Sequence, residues 1–235
     1  MFRSSVLLFA LLLSFAYGLG VGLRSWFPYE LLLSAREAFG DNGNPQRNIS
    51  ALQLANGGYL IHVRHAHRAD SIDIRVADFF EMNGATSSFA AMTCLSDEGR
   101  MQAELTGLVF EKLGIRPERI ITSGSCRANE HALIAFERID VQDPRHLHAS
   151  AIPQSRREDH VKSQSHALVE VFGTADVTVI IGHKGSPYGC KPVKCLSGVD
   201  ARSQGGVSVI QQIDTTLVEV DRYATLTDFF NSLAP

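Results

Sequence analysis

The chain has 235 residues, 45% of them apolar and 20% charged, and a formal net charge of −3. Such a composition is ordinary for a globular protein, and a balance so small and negative does not suggest nucleic acid as a partner. Setting aside an amino-terminal leader or anchor leaves about 200 residues, enough for one well-filled core and not calling for two.

Val6 to Leu23 runs almost without polar groups, with Arg3 before it and Arg24 after it. A basic stretch followed by an apolar one is the layout of an export signal. Ser14-Phe15-Ala16 and Ala16-Tyr17-Gly18 offer small residues at cleavable spacings. An uncleaved anchor fits equally, since the run is about the minimum that spans a bilayer. Residues 1–25 are therefore expected to be a signal peptide or membrane anchor. Residues 26–55 read as a membrane-proximal linker, where Gly40-Asp41-Asn42-Gly43-Asn44-Pro45 gathers turn formers; a surface loop is the alternative for that motif. Residues 56–235 form the expected catalytic domain.

Within it, Tyr59, Leu60, Ile61 and Val63 predict a buried strand ending in Arg64-His65-Ala66-His67-Arg68. Leu95-Ser96-Asp97-Glu98-Gly99-Arg100 opens a helix, with Ser96 as cap and two carboxylates in the first turn. Its expected buried face is Met101, Leu105, Leu108, Val109 and Leu113, and Gly114 closes it. A second strand over Arg119–Thr122 runs into Ser123-Gly124-Ser125-Cys126-Arg127. Ala128 to Phe136 predicts a helix with Ala132, Leu133 and Phe136 inward, and His166 to Phe172 another. Val177 to Ile181 is a third apolar strand, ending in Gly182-His183. Val207 to Gln211 and Thr216 to Val220 read as an edge hairpin, and Leu226 to Leu233 as a terminal helix. Strands alternating with helices predict a three-layer α/β/α sandwich on a mostly parallel sheet.

Open α/β sheets bind their ligands at the carboxyl ends of the strands. Here those ends carry Arg-His, Arg and His. Guanidinium forks match phosphoryl oxygens, and an imidazole among them can attack phosphorus. The ordered set, from about Gly58 to about Val220, resembles the histidine phosphatase superfamily, the phosphoglycerate mutase-like group. The Arg-His-Ala variant, the Leu-Ser-Asp helix start and the Cys before the second Arg are similar to bacterial exported members, such as the lipopolysaccharide core heptose-phosphate phosphatases.

That resemblance implies a phosphomonoesterase with a phosphohistidine intermediate and no cofactor or metal. It implies His65 as nucleophile, Arg64 and Arg127 as phosphate clamps and His183 as a donor to a third oxygen. Arg68, four residues after Arg64, is an additional candidate for substrate binding. The proton donor departs from the family pattern. A Glu is expected some tens of residues after the second Arg, where Glu158 and Asp159 stand; Glu158 is preferred and a solvated charge run is the alternative. Lys184 stands where the acid-phosphatase branch has its Asp, which disfavours that branch.

Two other readings stay open. His62, His65, His67, Asp70, His146 and His148 offer metal-ligand types, but a metal reading leaves Arg64 and Arg127 without a role. A non-catalytic phosphate binder would need the clamps and not the acid. The implied partner is a small phosphorylated substrate, for which an envelope phosphosugar suits export and a glycolytic mutase role does not. Membrane association would come only through the amino terminus. The pocket walls are expected from Asp70 to Ser88 and from Lys184 to Gln204, the latter carrying Lys184, Lys191, Lys194 and Arg202.

The four cysteines fit an oxidising, periplasmic location. Three pairings are possible. A local Cys190–Cys195 bridge around Pro192 would leave Cys94 and Cys126 to pair.

Overall fold

The computed structural model describes residues 49–68, 94–147, 153–172, 177–183, 204–213 and 216–234, all within the compact unit Asn44–Pro235. The expected leader, the two expected wall loops (apart from Gln204) and the Cys190–Cys195 pair lie outside the described residues.

A short helix, α1 (Ala51–Ala55), opens the described chain. Ser50 and Gln53 form a reciprocal cap at its start, and Leu54 is fully buried. Then come β1 (Tyr59–Arg64), α2 (Asp97–Lys112), β2 (Arg119–Thr122) and α3 (Cys126–Phe136). They are followed by β3 (Val141–Gln142), α4 (Arg157–Val171), β4 (Val177–Gly182), β5 (Val207–Ile213), β6 (Thr216–Tyr223) and α5 (Leu226–Leu233).

The sheet has six strands in the order β3-β2-β4-β1-β5-β6. β3, β2, β4 and β1 are mutually parallel, and β5 and β6 close one edge as the expected antiparallel hairpin. β4 is buried along its whole length. A strand covered on both faces shows no polar alternation, which is why Val177 to Ile181 was legible as an apolar run. Leu168 and Val171 of α4 pack on Leu60, Ile121, Ile180 and Ile210. A cluster of Phe110, Phe136, Tyr223 and Phe229 joins α2, α3, β6 and α5. The result is the expected three-layer sandwich.

Ser96 caps α2, its Oγ accepting from Gly99 N–H at 3.1 Å, and Gly114 follows the helix at φ 69°. The buried face of α2 differs from expectation. Gly99, Ala103, Thr106, Val109 and Phe110 are buried, whereas Met101 is 53% exposed and Leu105 and Leu108 are only partly covered. The reason is close backbone approach. A Cβ at Gly99 would collide with the His67 carbonyl, and one at Gly107 with the Ala135 carbonyl. Small residues therefore face inward. In α3 the inward stripe is Arg127, Ala128, His131 and Ala132; Leu133, expected inside, is 50% exposed. Polar residues that belong to the site have taken the places where apolar ones were expected. α4 begins at Arg157, nine residues before the expected His166, with Glu158 and Asp159 in its first turn where the helix dipole suits carboxylates.

Candidate active site

Because β4 lies between β1 and β2, three strand ends converge at one edge. Arg64 stands opposite Gly182, and Thr122 opposite Ile181. Just beyond, His65 N–H donates to Gly182 O at 2.9 Å and Ser123 N–H to Ile181 O at 3.3 Å. Gly182 has a steric reason: a Cβ there would collide with the ring of His62, which is buried beneath it. The sheet thus delivers Arg64, His65 and His183 side by side, and the first turn of α3 brings Arg127 over them.

Arg127 is fully buried and organises the cluster. Its Nε donates to His65 Nε2 at 3.2 Å and its Nη2 to His183 Nδ1 at 3.0 Å. The imidazoles meet edge to face, with centroids 5.3 Å apart. A guanidinium only donates, so each contacted nitrogen bears a lone pair. His65 therefore carries its proton on Nδ1, which donates to Ala66 O at 2.8 Å. His183 carries its proton on Nε2, directed at Ser123 Oγ at 2.8 Å, with Ser125 Oγ 3.1 Å beyond. Burial, then the Arg127 charge, holds the His65 pKa well below the usual imidazole value. His65 is thus a neutral base with Nε2 unprotonated. Arg64 has its pKa lowered by burial and next by the Arg127 cation. Two guanidinium charges at one partly desolvated edge raise each other's energy, and a dianion between them would lower it.

Of the expected site residues, the structure brings Arg64, His65, Arg127 and His183 together. Arg68 forms a bridge with Leu95 at the entrance to α2. Glu158 does not join them: its side chain is 85% exposed and 3.2 Å from Lys162 Nζ. Glu130 accepts from Leu95 N–H and Arg100 Nε, both at 2.8 Å. It ties α3 to the start of α2 and has both oxygens occupied.

Cys94 and Cys126 form a disulfide with Cα atoms 4.9 Å apart. It anchors the residue immediately before Arg127. Among the described residues, the one group with metal-like spacing is Cys94, Cys126 and Glu130; its two sulfurs are bonded to each other and so are not thiolate ligands. Of the metal reading's candidates, Asp70 and His148 lie outside the described residues, and His65 and His67 have separate partners. His65 engages Ala66 and Arg127, while His67 Nδ1 lies 2.8 Å from Ser96 Oγ.

Comparison with solved structures gives the same architecture. A candidate alpha-ribazole-5'-P phosphatase from Escherichia coli matches with a TM-score of 0.50 and 18% identity, over 72% of this chain and 98% of its own. The fold is that of the histidine phosphatases. A mycobacterial glucosyl-3-phosphoglycerate phosphatase in complex with inorganic phosphate gives 0.49 at 14% identity, over 72% and 98%. The protein histidine phosphatase SixA complexed with tungstate gives 0.48 at 11% identity, over 70% and 96%. No protein-family profile matches the sequence. Nor does any curated protein.

The histidine-phosphatase fold here contains polar residues outside the sequence motifs, His131, Thr106 and Gln102, and gives Ser123 and Ser125 of the second strand's motif a place beside His183. The available signal was spacing. Arg127 and His131 stand four apart and share a helix face.

Burial also pushes the His131 pKa down to about 3 and that of His146 to about 4. In the unfolded chain both titrate near 6.5, so protons bind the unfolded state first as pH falls. Stability is accordingly full above about pH 6.5 and declines below it. Urea unfolding at about pH 7.5 and about pH 5 should differ by at least about 2 kcal/mol. Equal midpoints would contradict neutral buried imidazoles.

Proposed function

We propose that this chain is a phosphomonoesterase that works through a phosphohistidine formed on His65. The observation that carries this reading is the state of His65, neutral and with its proton held on Nδ1 by Ala66 O. Phosphoryl oxygens would draw the Arg127 fork away from the two imidazoles, with Arg64 and Arg68 as further cations. That frees the Nε2 lone pair of His65 for in-line attack on phosphorus. The N–P bond forms as the ester P–O bond breaks. Ala66 O stabilises the positive charge that develops on the ring, and His183, taking at Nδ1 the proton of a phosphate monoanion as it binds, donates it in a hydrogen bond to a phosphoryl oxygen. Water then attacks the phosphohistidine, releasing orthophosphate and restoring neutral His65.

We assign the leaving-group proton to Glu158 from its place in the chain between Arg127 and His183, with Asp159 second. Export to the periplasm is supported by the apolar run from Val6 to Leu23 and by the Cys94–Cys126 bridge. An exported enzyme of this kind meets envelope phosphosugars, the substrate class we favour. The alternative, a phosphate-binding protein without turnover, draws on the exposure of Glu158.

The test uses an aryl phosphate and a sugar phosphate in the presence of a chelator. Hydrolysis of both is expected. Activity lost to the chelator and restored by zinc or manganese would favour a metallohydrolase; orthophosphate binding without turnover would favour the binding protein. Glu158→Gln should slow the sugar phosphate about 100-fold and the aryl phosphate much less, because an aryl oxide leaves without protonation. Small, equal effects from Glu158→Gln and Asp159→Asn would remove both as the acid.

A further inference from the structure

The strand end that carries His65 is gripped by two helices through a chain of hydrogen bonds, buried at His131 and part-buried at Gln102, that the proposed chemistry does not use. Ala66 is fully buried, and its N–H donates to Nδ1 of His131 on α3 at 3.1 Å. His131 Nε2 lies 3.0 Å from Thr106 Oγ1 on α2. The Thr106 hydroxyl in turn donates to Gln102 O at 2.9 Å. The other end of the same glutamine closes the loop, Gln102 Oε1 accepting from His67 N–H at 2.9 Å.

The proton positions in this chain follow from its ends. A backbone N–H can only donate, so His131 Nδ1 is an acceptor and its proton sits on Nε2. Thr106 already donates to Gln102 O, so its oxygen is free to accept from His131 Nε2–H. Each polar atom in the path then has a defined role, the Thr106 hydroxyl both accepting and donating. Both peptide groups of Ala66 are held: the N–H of one by His131, the N–H of the next by Gln102. The carbonyl left between them is the one that accepts the Nδ1 proton of His65.

We propose that His131, with Thr106 and Gln102, is a positioning residue for the nucleophile, clamping Ala66 so that its carbonyl fixes the His65 tautomer and leaves Nε2 unprotonated. The inference rests on the phosphohistidine reading for its catalytic meaning. His131 acts through the Ala66 backbone. A planar ring with an acceptor at one nitrogen and a donor at the other spans from the end of β1 to α2, a task neither an aliphatic side chain nor a hydroxyl performs.

The test reads the tautomer directly, by nitrogen NMR of histidine-labelled protein with orthophosphate bound, so that the Arg127 fork is drawn off Nε2 and Ala66 O alone holds the tautomer, and separately the rate of phosphoryl transfer from an aryl phosphate to His65. In the wild type, His65 should show a protonated Nδ1 and a bare Nε2, and His131 the reverse. His131→Leu should abolish the single tautomer at His65 and slow transfer about 10- to 100-fold, with KM little changed. His131→Asn, whose Oδ1 can take the place of Nδ1 toward Ala66 N–H, should keep the His65 tautomer and most of the rate. Thr106→Val, a near-isosteric change, should loosen the tautomer and slow transfer about 10-fold; it is the decisive variant if His131→Leu does not fold. A folded His131→Leu or Thr106→Val protein with His65 still fixed on Nδ1–H and full transfer rate overturns the clamp. Should the wild type turn over no phosphomonoester while His131→Leu still releases the tautomer, the clamp stands and the phosphatase reading falls.

Discussion

His65→Ala should lower phosphomonoester hydrolysis by about 10⁴-fold or more, because the proposed covalent route runs through the His65 Nε2 lone pair. The fold should survive. The side chain gives up one hydrogen bond to Ala66 O and one from Arg127, each worth about 1 kcal/mol. Two measurements check the result: steady-state turnover, and acid-labile phosphate trapped on the quenched enzyme. Wild-type protein should carry that label and the variant should not. Normal turnover by His65→Ala would remove His65 as nucleophile and the phosphohistidine with it.

Arg127→Lys should be nearly as damaging despite keeping the charge, with kcat/KM down by about 10²- to 10³-fold. The native fork serves two lone pairs at once, His65 Nε2 through Nε and His183 Nδ1 through Nη2. A single ammonium on a flexible stem cannot reproduce that geometry, nor a two-point grip on a phosphoryl group. Inhibition by orthophosphate should weaken in parallel, since the same fork would hold the product. If lysine supports wild-type turnover, Arg127 supplies charge alone and its orientation of the imidazoles is incidental.

The parts of the fold that were legible in the sequence were those set by one local rule. β2 and α5 begin and end where their apolar patterns do, and β4 ends within a residue of its own. Ser96 and Gly114 mark the ends of α2 because capping chemistry depends on neighbours in sequence. The faces of α2 and α3 were not legible. Hydrophobic periodicity assumes that the inward stripe is apolar, and here Gly99, Thr106, Arg127 and His131 occupy it. That substitution is also why His131 escaped notice: its partner, the N–H of Ala66, lies 65 residues away and is adjacent only after β1, α2 and α3 have assembled. The start of α4 was not legible either, because its apolar run begins near His166 while the turns from Arg157 carry exposed charge. The reciprocal cap of Ser50 and Gln53 was visible in the sequence and marks a helix inside what was expected to be a linker.

The position of β4 between β1 and β2 bears on when the protein comes into being as well as on where its residues lie. β1 is made first, yet its sheet neighbours are β4 and β5, both made after residue 176. Before that point, among the described residues, only the two-residue contact of β2 with β3 is available to the sheet. Closing such long loops costs entropy that is recovered only when the late strand docks. A growing chain therefore carries Arg64, His65 and Arg127, from the moment Arg127 is made until β4 is complete, without a frame to hold them together. The site is assembled late, when β4 slots into the middle of the sheet, so a chain cut short before it has the motif but no site.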